Sequence, residues 1–94
     1  MAMKDITSPQ AILSAVAEYD RLGQEAFLAK YGCGRAKNYL LIVDGREYDS
    51  KAIVVAAHGY QFPQEGSLSP STFHHGGIPV KLLLESLGFE VRVS

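Results

Sequence analysis

The sequence is constrained most by a run of six consecutive apolar residues, 52–57, which lies between a polar Asp-Ser-Lys segment and a His-Gly-Tyr exit. A helix that is apolar on nearly all sides has to be covered by other elements on nearly all sides. The run therefore predicts a buried central helix that begins near Ser50. Gly59 is predicted to end this helix, because glycine is favoured just beyond a helix C-terminus.

The chain is long enough for one core of this kind. Its 94 residues predict a single domain over residues 1–94, which is expected to bury roughly 65% of the chain's surface on folding. The composition, 47% hydrophobic and 20% charged, is typical of a globular domain and not of a disordered segment. We expect residues 1–7 to be disordered or to be an addition from cloning. The sequence has no apolar run of about 18 residues and no signal-peptide pattern, so we expect a cytoplasmic protein without a membrane partner.

Two helices are predicted before the central one. Ser8 suits a helix cap and Pro9 suits the first helical position, and apolar residues then recur at helical spacing up to Gly23. The segment QEAFLAKYG predicts a shorter helix that stops at Gly32 and packs back on the first. Together they would form a helical hairpin.

The strand signals lie on either side of the central helix. Residues 39–43 are β-prone, Asp44-Gly45 is a strong two-residue turn signal, and residues 46–48 return antiparallel. Near the end, IPVKLLLESLG predicts a helix up to Gly88, and FEVRV predicts a closing strand. The predicted fold class is α+β, with a helical hairpin, a small three-stranded sheet, a buried central helix and a C-terminal helix–strand pair.

Lys51 stands at an unfavourable position for stability. The start of a helix exposes unpaired N–H groups and the positive end of the helix dipole, so a cation there costs about 0.3–1 kcal/mol. The same helix start, with the Lys51 ammonium and the Ser50 hydroxyl, would suit a phosphate oxygen. Alternatively, Lys51 pairs with Asp49 or Glu47 at the surface and so offsets the cost. The sequence leaves both interpretations open.

A local excess of positive charge favours a nucleic-acid partner. Residues 30–58 contain five basic and three acidic side chains, whereas the whole chain has a net charge of −1. Arg35, Lys37 and Asn38 lie in a glycine-punctuated loop before the first predicted strand. We expect this loop to lie near the helix that carries Lys51.

Aromatic residues occur in and after this region. They could supply a stacking surface or a pocket for an extruded base, although half or more are expected to be core aromatics. The four are Tyr39, Tyr48, Tyr60 and Phe73.

The histidines and the single cysteine form no recognisable metal or catalytic motif. His74 and His75 are adjacent, so their side chains diverge on a helix or a strand, and no H-x-x-x-H or C-x-x-C spacing occurs. His58 is predicted at a helix C-terminus, where it would complement the dipole. Cys33 has no partner for an internal disulfide. We expect no metal, no cofactor and no catalytic residue.

The segment YDSKAIVVAAHGY, followed by TFHHGG and VKLLLESLGFEV, resembles the N-terminal head domain of McrA-like, HNH-type modification-dependent (type IV) restriction endonucleases. The opening ILSAVAEYDRLGQEAFLAKYGCGRAKNYLLIVDGREYDSKA is similar too, so the resemblance spans nearly the whole chain. His74 and His75 separate the phenylalanine from the glycine pair, where the family pattern leads us to expect one residue. By position, the signature residues are Tyr48, Ser50, Lys51, His58, Tyr60, Phe73, Gly76 and Gly77.

The resemblance implies a DNA-related role in defence, because in that family this module precedes domains that read modified or phosphorothioated DNA and an HNH nuclease. The HNH motif is absent here, so we do not expect an enzyme. Two hypotheses stay open. One is a module that binds double-stranded, modified or unmodified DNA; the other is an interaction module that dimerises or docks onto an HNH nuclease domain. The predicted nucleic-acid contacts are Arg35, Lys37, Asn38, Tyr48, Ser50, Lys51, His58, Tyr60, His74 and His75.

Overall fold

A computed structural model describes residues 6–36, 38–68 and 77–93 of the chain. The described residues form four helices and a three-stranded antiparallel sheet, which confirms the predicted α+β class. In chain order the elements are α1 (Pro9–Leu22), α2 (Gln24–Tyr31), β1 (Tyr39–Val43), β2 (Arg46–Asp49), α3 (Ser50–Gln61), α4 (Gly77–Ser86) and β3 (Glu90–Val93).

The helical hairpin forms as predicted from its caps. The Ser8 side chain accepts a hydrogen bond from the backbone N–H of Ala11 at 3.2 Å, and Pro9 occupies the first turn of α1. Gly23 separates the two helices and donates its N–H to the carbonyl of Tyr19 at 2.8 Å. Gly32 ends α2 in the left-handed conformation, with φ of 67°, which glycine adopts without steric cost.

The sheet has the order β2-β1-β3, so β1 is the central strand. Asp44 and Gly45 make the predicted two-residue turn, and both have positive φ, 52° and 78°. Leu41 pairs with Tyr48 on one side and Val91 on the other, and all three are buried in the core. On the other face, an ion pair of 3.3 Å between Arg92 on β3 and Glu47 on β2 bridges across β1.

The α3 helix lies at the centre of the domain, as the apolar run predicted. It packs against α1, α2, α4, β1 and β2. Its start at Ser50 is confirmed. Its buried residues are Ser50, Ala52, Ile53, Val54, Val55, Ala56, Ala57 and His58.

The predicted end of α3 at Gly59 is wrong, because the helix continues to Gln61. A Cβ atom at Gly59 would lie 3.0 Å from the backbone nitrogen of Ser67. The glycine is therefore required by the close passage of the chain at residues 66–67 and not by a helix stop. The side chain of Gln61 in turn accepts the backbone N–H groups of Thr7 and Ser8 at 2.9 and 3.0 Å, and so ties the end of α3 to the start of α1.

The two ends of the described chain add to the core. Of the segment 1–7, residues 1–5 lie outside the described part, and Ile6 is 1% exposed in the core. In α4, Val80 and Leu84 are buried, whereas Leu82 is 57% exposed. Among the described residues, each helix is too short or too polar to cross a membrane.

Candidate nucleic-acid interface

The loop that precedes β1 lies against the start of α3. The backbone N–H of Ala36 donates a hydrogen bond of 2.7 Å to Oδ1 of Asp49, the residue just before α3. The neighbouring Arg35 is exposed and lines a cleft whose floor includes Asp49. The predicted proximity of the basic loop to the helix that carries Lys51 is therefore present in the structure.

Asp49 itself is a buried carboxylate, 3% exposed, with three hydrogen-bond donors. In addition to Ala36, the Tyr19 hydroxyl and the Gln24 amide donate to Oδ2 at 2.7 and 2.9 Å. Burial raises the pKa of the Tyr19 hydroxyl, and the hydrogen bond to Asp49 raises it further. Asp49 occupies the N-cap position of α3, where the helix dipole favours a negative charge. The protein thus supplies its own anion at this helix start.

The phosphate site predicted at the Ser50 hydroxyl and the start of α3 does not fit the structure. The Ser50 side chain is 4% exposed and its hydroxyl donates to the carbonyl of Tyr39 at 2.8 Å, so it has no exposed surface for a phosphate. An anion placed on the helix axis would also lie next to the Asp49 carboxylate, and like charges repel. A phosphate contact in this region has to involve the surrounding side chains and not the helix N-terminus.

Lys51 is half-buried and is the second residue of α3, next to the Asp49–Ser50 start of the helix. Burial raises the pKa of the Cys33 thiol; the positive charge of Lys51 opposes this shift, and the negative charge of Asp49 adds to it. Both charges therefore act on one sulfur atom. A carboxylate at the N-cap offsets the dipole cost of an ammonium two residues later, which answers why this helix tolerates a lysine in its first turn.

The cleft between the basic loop and β2 has a volume of about 390 Å³. It combines the exposed Arg35 guanidinium with two carboxylates, Glu47 and the deeper Asp49. Its apolar wall is provided by Leu40 together with two tyrosine side chains. The lining residues are Tyr19, Gln24, Arg35, Ala36, Leu40, Glu47, Tyr48 and Asp49.

Tyr48 and His58 are core residues, which does not fit the direct DNA contacts predicted for them. Tyr48 is 3% exposed, its ring packs edge-on against Tyr19 at 5.0 Å between centroids, and its hydroxyl donates to Asp20 at 2.8 Å. His58 is 2% exposed and its Nδ1 donates to the carbonyl of Gly66 at 2.7 Å. Its Nε2 has no hydrogen-bond partner among the described residues. Together with Ser50, these side chains support the fold and cannot reach DNA while buried.

A second buried carboxylate, Glu18, was missed by the sequence analysis. It is 3% exposed in α1, and its Oε1 accepts the hydroxyls of Tyr31 at 2.6 Å and Tyr60 at 2.9 Å. Its Oε2 forms an ion pair with Lys30. Burial alone would raise the pKa of the Glu18 carboxyl, but the hydrogen bonds from its three partners lower it below its ordinary value. The signal was present, since Glu18 continues the i, i+4, i+7 spacing of the buried Ala11 and Ala15.

The remaining predicted contacts are distributed unevenly. Tyr60 is 43% exposed and Asn38 is also exposed, so both present surface to solvent. Within the described residues, no three side chains of histidine, cysteine, aspartate or glutamate are grouped so that they could hold a metal ion. Lys37, Phe73, His74, His75 and Gly76 lie outside the described residues.

Comparison with known proteins extends over nearly the whole chain. The model of the ScoMcrA-like N-terminal head domain family matches residues 4–93. Among solved structures, the chain is similar to the type IV phosphorothioation-dependent restriction endonuclease ScoMcrA, with 34% sequence identity and a TM-score of 0.68. The match covers 93% of this chain and 13% of the solved chain, so this chain spans a small part of that enzyme's length. Comparison with curated proteins gave no significant match.

The family match and the structural match agree in extent. The family match runs over residues 4–93, which contain every segment on which the resemblance in the sequence was based, and the structural match covers 93% of the chain. The predicted resemblance is therefore confirmed. The chain belongs to the family of ScoMcrA-like N-terminal head domains.

Proposed function

We propose that this domain binds double-stranded DNA within a modification-dependent restriction system. It does so by contacting phosphates with side chains of the loop before β1 and of the first turn of α3. The observation that carries the proposal is the 2.7 Å hydrogen bond from Ala36 to Asp49, which holds the loop beside α3. The proposed contacts are Arg35, Lys37, Asn38 and Lys51.

The charge pattern supports phosphate contact over base reading. Arg35 is exposed, and the backbone of its neighbour Ala36 is held by the hydrogen bond to the buried Asp49 carboxylate. The side chain of Arg35 therefore projects from a fixed point of the backbone. A guanidinium can contact a phosphate through two N–H groups at once. Such contacts position a protein on DNA without reading its sequence. Recognition of a modified base would need a further contact.

The relative supports a role in defence. The similar solved protein is a type IV phosphorothioation-dependent restriction endonuclease, and this chain matches a part of it. We infer that the present domain serves a protein of the same kind and has a non-catalytic role in it, since the HNH motif is absent from its 94 residues. Its task would be to add affinity for DNA, while cleavage would belong to another domain.

A salt-dependent titration with labelled duplexes tests the proposal. Arg35→Ala and Lys51→Ala are each expected to weaken binding to all sequences about equally and to reduce the slope of log K against log salt by roughly 1, because each removes one phosphate contact. Lys81→Ala serves as the charge-matched control, since Lys81 lies on α4 and pairs with Glu85. This control should leave affinity and salt slope unchanged.

Unmodified, cytosine-modified and phosphorothioated duplexes of one sequence should be compared in the same titration. The proposal fails if the wild type binds no duplex at low salt, or if both substitutions leave affinity and salt slope at the wild-type values. The hypothesis of a protein-interaction module would then be preferred, and sedimentation at micromolar concentration would be expected to show a dimer.

A further inference from the structure

A second cleft lies beside the Glu18 carboxylate and has a volume of about 300 Å³. Two tyrosines line it, Tyr31 from the end of α2 and Tyr60 from the last turn of α3, together with Lys30. The volume is at the lower end of the range for small-ligand clefts, which suits a single planar group. The other lining residues are Ala56, Gly59 and Ser67.

The two tyrosine rings are held in place from one side. Both hydroxyls donate to the same oxygen of Glu18, at 2.6 and 2.9 Å, and Glu18 is buried. The ring of Tyr31 also packs against Phe27 at 4.9 Å between centroids. Tyr60 is nevertheless 43% exposed, so an aromatic side chain with a fixed hydroxyl presents surface to solvent. An aromatic ring that is already positioned loses little conformational entropy when a ligand stacks on it.

Two cations, Lys30 and Arg21, lie near this aromatic pair, and Lys30 also pairs with Glu18. The side chain of Lys30 is 53% exposed, and its Nζ lies 5.3 Å from the centroid of the Tyr31 ring. Burial and Glu18 raise the pKa of the Tyr31 and Tyr60 hydroxyls, and the charge of Arg21 opposes the shift at both. Arg21 is therefore near both tyrosines. Two cations and one buried carboxylate leave a local excess of positive charge.

We propose that this cleft binds an unpaired nucleobase of DNA, which stacks on the Tyr60 ring while the adjoining phosphate faces Lys30 and Arg21. Every base has a π-face, so stacking on tyrosine tolerates any sequence, and nearby cations hold the backbone. The hydrogen bond to Glu18 fixes the hydroxyl of Tyr60 but does not require the ring to be exposed. The exposed ring is therefore available for stacking. This inference rests on the proposed DNA-binding function and adds a second contact to it.

Three DNA probes of one sequence test the inference by fluorescence anisotropy: a fully paired duplex, the same duplex with one unpaired thymine, and the single strand. The wild type is expected to bind the two probes with unpaired bases roughly 5-fold or more tightly than the paired duplex. Tyr60→Leu should abolish this preference, because it removes the aromatic ring. Tyr60→Phe should retain it, and so should Leu82→Ala, which removes a comparably exposed apolar side chain outside the cleft.

A measurement on the wild type makes the test independent of how well the variants fold. In NMR titrations, the ring protons of Tyr60 should shift with the unpaired probes and not with the paired duplex. The inference is overturned if the paired duplex binds with the expected salt dependence but no preference for unpaired bases appears. It is also overturned if the preference persists in Tyr60→Leu. In both cases the proposed function stands. If no probe binds at all, the proposed function itself fails and this inference fails with it.

Discussion

Asp49 connects three separate parts of the chain through one side chain. Its donors come from α1, α2 and the loop before β1, namely Tyr19, Gln24 and the backbone of Ala36. Each donor is a neutral group, and the carboxylate stands at the favourable end of the α3 dipole. The residue thus anchors the loop that is proposed to contact DNA.

Asp49→Asn is expected to lower the free energy of unfolding by about 2 kcal/mol. Whichever way the amide is oriented, its NH₂ group faces at least one of the three donors, and that donor loses its acceptor. Urea unfolding followed by circular dichroism measures the effect. Asp44→Asn is the matched control, because Asp44 is exposed in a turn that asparagine also favours, and it should change stability by less than about 0.5 kcal/mol. Equal stability of the two variants would contradict the role given to Asp49.

At the scale of elements, the sequence predicted correctly those features that depend on interactions between residues close together in the chain. The capping residue Ser8 predicted the start of α1, and Asp44-Gly45 predicted the hairpin turn, since both act through their own backbone. The end of α3 was mispredicted because Gly59 makes room for the backbone of Ser67, which lies eight residues later in the chain, and does not act as a helix stop. The hydrogen bonds of Glu18 and Asp49 could not be predicted in detail, because their partners come from several elements that only the tertiary fold brings together.

Gly59→Ala tests whether Gly59 is needed because it makes room for the segment at 66–67 and not because it ends α3. Helix propensity alone would favour alanine by about 1 kcal/mol. The added Cβ would, however, lie 3.0 Å from the nitrogen of Ser67 and 3.2 Å from the carbonyl carbon of Gly66, and neither backbone atom can move as a flexible side chain would. We therefore expect a net loss of stability of about 1–2 kcal/mol, as for overpacked positions.

Thermal and urea unfolding would measure this change. The matched control is Gly34→Ala, since a Cβ at Gly34 meets no atom within 4 Å and the residue does not need positive φ. This variant should be neutral or slightly more stable, because alanine restricts the unfolded chain. A stabilised Gly59→Ala protein would show that the segment at 66–67 adjusts freely and that the packing explanation is wrong.

On the scale of the whole molecule, tyrosine–carboxylate pairs join α1 to α2, β2 and α3. Burial raises the pKa of all four tyrosine hydroxyls involved, and their carboxylate partners raise it further. The carboxyl of Glu18 shows the opposite shift, to a lowered pKa. The pairs are Tyr19 with Asp49, Tyr48 with Asp20, and both Tyr31 and Tyr60 with Glu18.

These shifts predict two limits of stability on the pH scale. The tyrosine pKa values are raised above their ordinary value of 10.0, so their contribution is complete below about pH 10 and is lost as the pH rises further. The Glu18 pKa is lowered from 4.5, so its contribution is complete above that pH and is lost as the pH falls below it. The free energy of unfolding should therefore be nearly constant between about pH 6 and 9 and decrease on both sides.

Urea unfolding at a series of pH values measures the profile, and the ultraviolet absorbance of tyrosinate reports whether the hydroxyls ionise together with unfolding. Glu18→Gln should lower stability at neutral pH and should also flatten the acid side of the profile, because the substituted side chain no longer titrates. Glu25→Gln, an exposed change in the first turn of α2, should keep the wild-type acid slope. A Glu18→Gln protein with the wild-type slope, or a wild type with unchanged stability well above pH 10, would show that these hydrogen-bonded pairs do not set the limits of the fold.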